Sequence, residues 1–146
     1  MKKLLIALTL VAGLFTTAFA GDEKIDARVL ESFHKKFAQA DQISWKTQDD
    51  YYKATFTMGG NWLDAYYTRD GKLFSVTRNI SAIQLPLVLL NNLKSKYEGY
   101  WITGLFEVST ETGFTYFATI ENTSRKVILK SFYQNWETYE ITKKNK

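Results

Sequence analysis

The chain has 146 residues, 45% of them hydrophobic and 16% aromatic, with a formal charge of +4, a single histidine and no cysteine. That length suits one compact domain with a modest core. The residue counts exclude disulfide frameworks, Cys–His nucleophiles, multi-histidine metal sites and a lipid-modified cysteine.

Met1-Lys2-Lys3, the apolar run Leu4 to Phe15 and the small-x-small step Ala18-Phe19-Ala20 read as a secretory leader cleaved after Ala20. The short Lys-Lys start has a bacterial look, so the expected destination is the periplasm or the medium. Residues 21–146 would then form the mature protein. Its charge falls to +2, because two of the 19 basic residues leave with the leader while all 15 acidic ones stay. No later run approaches the roughly 20 apolar residues a membrane span needs, so no membrane insertion is expected. The closing Lys143-Lys144-Asn145-Lys146 reads as a solvated end, and no nucleic-acid partner is expected.

From Asp22 to Ala38, Ile25, Val29, Phe33 and Phe37 mark one stripe of an amphipathic helix, with Asp22 as its N-cap. Turn signals then divide β-rich runs. A loop at Asp49-Asp50 sets Thr47 against Tyr52, Trp45 against Ala54 and Ile43 against Phe56. A loop at Gly59-Gly60 sets Met58, Phe56, Ala54 and Tyr52 against Asn61, Leu63, Ala65 and Tyr67, and Asp70-Gly71 brings Tyr67 to Phe74 and Ala65 to Val76. All three turns sort one apolar set onto one face.

A second helix opens at Pro86, buries Leu89, Leu90, Leu93 and Tyr97, and stops at Gly99. Glu111-Thr112-Gly113 reads as a three-residue hairpin loop, setting Val108 against Tyr116, Phe106 against Ala118 and Gly104 against Ile120. A loop at 122–125 pairs Ile120 with Val127 and Ala118 with Leu129. A bend at Gln134-Asn135-Trp136 brings Tyr139 and Ile141 onto that same side.

The segment Tyr52-Lys53-Ala54-Thr55-Phe56 recurs 64 positions later as Tyr116-Phe117-Ala118-Thr119-Ile120, and Val29, Phe33 and Phe37 recur 60 positions later as Leu89, Leu93 and Tyr97. The expected fold class is therefore α+β: a tandem helix-plus-three-strand repeat, about 22–82 and 83–142, forming an antiparallel sheet with two helices on one face and one shared core.

The order of these features resembles the PepSY-like family of small exported bacterial proteins. It comprises a leader, a helix ending near Phe37, Ile43-x-Trp45, Tyr52-x-Ala54-x-Phe56, the Tyr66-Tyr67-x-x-Asp70-Gly71 turn, and Leu85-Pro86 opening the second helix. The Phe-Pro that often closes the first helix in that family is Phe37-Ala38 here, a departure confined to the helix stop. The resemblance implies a fold similar to the β-lactamase-inhibitor protein, in which the open sheet face meets a partner. It implies no catalytic residues.

Residue chemistry leads the same way. His34 reads as a half-exposed structural histidine, and Ser32-x-x-Lys35 lacks the companion motifs of acylating enzymes. Asp49, Asp50 and Asp70 sit in turns, where aspartate is favoured locally, which leaves Asp41 and Asp64 without a catalytic constellation. No cofactor motif is present, and the chain is read as non-enzymatic. The turn registers send Tyr51, Trp62, Tyr66 and Leu73, with Leu105, Phe117, Ile128 and Phe132, to the side away from the helices. Aromatic side chains on an open face suit protein recognition. Tyr51, Trp62, Tyr66, Phe117 and Phe132 are the expected anchors for a protein partner, a second copy forming a homodimer among the candidates. The alternative is a small-ligand carrier with a pocket between helices and sheet, lined by Tyr52, Tyr67 and Tyr116.

Overall fold

The computed structural model describes residues 24–144; the leader and its cleavage site lie outside them. Helix α1 spans Ala27–Lys36. Its N-cap is Asp26, not Asp22: the Asp26 carboxylate accepts from the Arg28 backbone N–H at 2.9 Å, satisfying one of the orphan donors of the first turn. The expected stripe is buried, with Val29 and Phe33 at 0% exposure and Phe37 at 7%. Phe33 meets Phe56 edge-on at 5.0 Å and Trp45 at 5.2 Å. Ala54 and Ala65, paired with each other, are both wholly covered and leave room beneath these rings.

Four strands follow, β1 (Asp41–Thr47), β2 (Tyr51–Met58), β3 (Asn61–Thr68) and β4 (Leu73–Asn79). A 3₁₀ turn at Ala82–Gln84 leads into α2 (Leu87–Lys96) and a second set of strands. These are β5 (Trp101–Thr110), β6 (Gly113–Glu121), β7 (Arg125–Phe132) and β8 (Asn135–Lys143). All eight form one antiparallel sheet in chain order. Each copy thus has four strands where three were expected, because its three turns separate four extended runs. β4 and β5 pair directly, so the sheet is continuous across the two copies.

The first copy keeps its expected register from Thr47↔Tyr52 through Ala65↔Val76. Gly59 and Gly60 take positive φ of 56° and 78°, as a two-residue hairpin turn of this twist demands. Two bulges intervene. One lies beside Gln42, at φ 52°, and takes Ile43 out of step with Phe56. The other sets Tyr67 against Leu73, so Leu73 turns toward the helix side and Phe74 away from it.

The second copy departs further. Its first hairpin closes on two residues, with Thr110 opposite Gly113, so Val108 faces Thr115, Phe106 faces Phe117 and Gly104 faces Thr119. The Thr112 backbone N–H donates to the Thr110 hydroxyl at 3.3 Å, which helps hold the shorter loop. That one-residue slip exchanges the faces of β5. Leu105 enters the α2 core beside Ala118, and Phe106 moves to the opposite side. Trp136 lies in β8, not in a bend. It is 7% exposed and donates from Nε1 to the Leu89 carbonyl at 2.8 Å. A bulge between Ile128 and Leu129 puts Tyr139 against Phe117 on the helix-free side, while Ile141 stays opposite Val127.

The core is also divided. One cluster gathers Val29, Phe33, Tyr52, Phe56 and Tyr67 under α1; another gathers Leu89, Leu93, Leu105, Ile120, Leu129 and Trp136 under α2. Between them, on the same face, stands the ion pair Arg78–Glu107.

Candidate functional site

Both helices pack on one face of the sheet, and alternation along each strand carries the remaining side chains to the other. In the first copy Tyr51, Tyr66 and Phe74 form a ring triangle with centroid separations of 5.8, 6.1 and 6.3 Å. Next to it, Lys53 Nζ lies 2.9 Å from Asp64 Oδ2, and the Thr55 hydroxyl donates to Asp64 Oδ1 at 2.5 Å. Burial works to lower the Lys53 pKa, but the hydrogen bond to Asp64 and the neighbouring Tyr66 and Asp64 charges outweigh it and hold the ammonium above its ordinary value. Burial raises the Tyr66 phenol, with Lys53 opposing. The polar centre of this copy is therefore internally satisfied, and its rings supply the apolar surface.

Trp62, opposite Thr57 near the β2–β3 hairpin, is 54% exposed. Across the sheet, Asn79 of β4 faces Phe106, and Phe106 faces Phe117. The last two rings stack at 4.7 Å and 2°, with Ile128 beside them and Tyr139 edge-on to Phe117 at 5.6 Å. Trp62 and Phe117 stand three strand intervals apart, about 14 Å along the sheet. A band of rings, interrupted at Asn79 of β4, thus lies across the junction of the two copies on the face away from the helices.

The expected anchors do not form one patch. Tyr51 and Tyr66 are partly buried in the ring triangle, while Trp62 leads the band. Phe117 is only 8% exposed, because Phe106, Ile128 and Tyr139 cover it; it supports the surface instead of presenting itself. Phe132 is 55% exposed but stands at the end of β7 beside Tyr133, with ring centroids 4.6 Å apart. Leu105, expected on this face, lies in the α2 core, and Leu73 packs toward α1. Phe74, Phe106 and Tyr139 belong to the face and were missed. Each sits beside a bulge or a slipped register, where alternation counted from the turns misplaces it.

The pocket expected between helices and sheet is not formed by its three tyrosines. Tyr52 and Tyr67, 7% and 0% exposed, fill the α1 core. Tyr116 belongs to the other copy, where burial and the adjacent Glu107 carboxylate raise its phenol pKa. Cavities lie elsewhere: one of about 300 Å³ where the copies meet, and one of about 240 Å³ between the end of α2 and Ile102 and Ile120. Among the described residues, no three His, Cys, Asp or Glu side chains group as a metal site, and no helix is long and apolar enough to cross a membrane.

No family model and no curated protein sequence matches the chain. Solved structures do. A BLIP-like protein from Bacteroides fragilis superposes with a TM-score of 0.70 at 17% identity, over 84% of this chain and 89% of that one. A DUF2874 family protein from Bacteroides ovatus gives 0.70 at 18%, over 80% and 86%. A protein from Bacteroides eggerthii, proposed to be periplasmic, gives 0.70 at 16%, over 81% and 88%. At these identities the likeness establishes the architecture: two helices on one face of an eight-stranded antiparallel sheet, a BLIP-like α+β fold.

Proposed function

We propose that this chain is an exported, non-enzymatic binding or inhibitory module that engages a protein partner through the helix-free face of its sheet. The observation that carries the reading is the band Trp62–Phe106–Phe117–Tyr139, which spans both copies on the face that neither described helix packs against. Trp62 and Tyr139 are the accessible members; Phe106 and Phe117 stiffen the surface from below. Such a preformed apolar centre, edged by Lys53–Asp64 and Lys130, has the composition of a recognition surface. The likeness to a BLIP-like structure supports the sheet architecture this reading uses, and the likeness to one proposed to be periplasmic supports the compartment. Membership of the PepSY-like group and cleavage after Ala20 belong to the same reading.

A photo-crosslinking residue placed at Thr57 or Lys130, on the open face, is expected to capture a protein from the native host's periplasm. The same probe at Lys94, on α2, is expected to capture none. Combining Trp62→Ser with Tyr139→Ser, the two accessible members of the band, should abolish capture while the circular dichroism spectrum stays unchanged. Capture from Lys94 alone, or capture indifferent to the double substitution, would remove the open face from consideration.

A further inference from the structure

Where the two copies join, neither helix covers the sheet, and a groove of about 300 Å³ runs over β4 and β5 on the helix side. Phe37, Leu63 and Val76 supply its apolar wall, and Phe114, 65% exposed, stands at its mouth. Its floor is the pair Arg78–Glu107, with Arg78 Nε donating to Glu107 Oε1 at 2.8 Å and Nη2 to Oε2 at 3.4 Å. The two partners are not equally accessible. The Glu107 side chain is 10% exposed and the Arg78 side chain 33%, so the floor presents its cation. A guanidinium has five N–H donors, of which this pair uses two. Lys36, exposed at the end of α1, adds a second positive charge at the rim, while the rim carboxylate of Glu111 is tied to Lys72 at 3.2 Å.

We infer that this groove binds a small organic anion, one carboxylate on an aromatic or branched aliphatic body, with the carboxylate on Arg78 and Lys36 and the body between Phe114 and the Leu63–Val76 wall. Its volume sits at the lower end of small-molecule sites, which fits a ligand of this size. An exposed guanidinium edge beside apolar walls favours a carboxylate over a neutral or cationic head. The groove lies on the opposite side of the sheet from the protein-binding face, so the two proposals stand or fall separately.

The probe is 3-phenylpropionate, titrated into the folded protein while the methyl resonances of Leu63 and Val76 are followed by NMR. Those resonances should shift saturably and those of Val127 and Leu129, in the α2 core, should not. Phenethylamine, with the same ring and the opposite charge, should bind about ten-fold more weakly. Arg78→Met strands the buried Glu107 and risks misfolding, so the decisive variants are at exposed positions. Lys36→Ser should weaken binding about three-fold and Phe114→Ser about ten-fold. Acid and amine binding alike, shifts confined to the α2 core, or both variants binding as the parent does would each overturn the assignment.

Discussion

Gly71 is the residue that most tightly joins α1 to the sheet. It sits at φ +91°, and a Cβ there would lie 3.1 Å from both the carbonyl carbon and oxygen of Arg28. The close partner is backbone in the first turn of α1, so it cannot swing aside. Gly71→Ala should therefore cost about 2 kcal/mol, measured by urea unfolding; an unchanged midpoint would contradict the close approach. Tyr67 offers the reverse case. Its hydroxyl is buried with no hydrogen-bond partner among the described residues, and burial pushes its pKa up to about 12. Because the folded state holds this proton more tightly, the phenol's contribution is complete below the ordinary value near 10 and is lost as pH rises toward 12. Tyr67→Phe should be neutral or stabilising by about 1 kcal/mol and should flatten stability loss between those limits. A loss above that size would show that the hydroxyl is satisfied.

At the scale of elements, the two helices treat water differently. α1 buries Val29 and Phe33 and shows Arg28, Glu31, Lys35 and Lys36. α2 buries Leu89 and Leu93 yet leaves Leu87 70% and Val88 45% exposed. Hydrogen bonds from Trp136 Nε1 to the Leu89 carbonyl and from Lys96 Nζ to Asn135 Oδ1 at 2.9 Å add to that burial in seating the helix. β5 is the strand whose setting decides the open face. Leu105, 7% exposed, fills the α2 core in the observed register. Leu105→Ala should destabilise by about 3 kcal/mol in chemical denaturation. A cost under about 1 kcal/mol would instead suit the three-residue loop, which sends that side chain to the surface.

Across the whole molecule, one continuous sheet carries two helix-side clusters, and an ion pair stands between them. Arg78 and Glu107 sit opposite each other on β4 and β5. The hydrogen bond to Glu107 raises the Arg78 pKa against its own desolvation, so the cation persists at any working pH. Arg78→Ala should cost about 3 kcal/mol by leaving a buried carboxylate unpaired, whereas the joint change Arg78→Met with Glu107→Leu should be neutral or stabilising. Thermal unfolding of both variants checks this. A double variant as unstable as the single one would mean that the pair, and not its mere neutrality, holds the copies together.

The sequence by itself determined the helix-and-hairpin plan, the buried stripes of both helices and the register of the β2–β3 hairpin. Each of these rests on local chemistry: helical spacing of apolar residues, and turns such as Gly59-Gly60 whose geometry admits one pairing. Only the tertiary structure decided which of Leu105 and Phe106, or of Leu73 and Phe74, faces the helices. Two adjacent apolar residues satisfy alternation in either setting, and the choice falls to whichever packs against Ala118 or stacks on Phe117 from a distant part of the chain. Phe117 became a support instead of an anchor for the same reason. The divided core followed because Arg78 and Glu107, 29 positions apart, meet only when β4 and β5 pair.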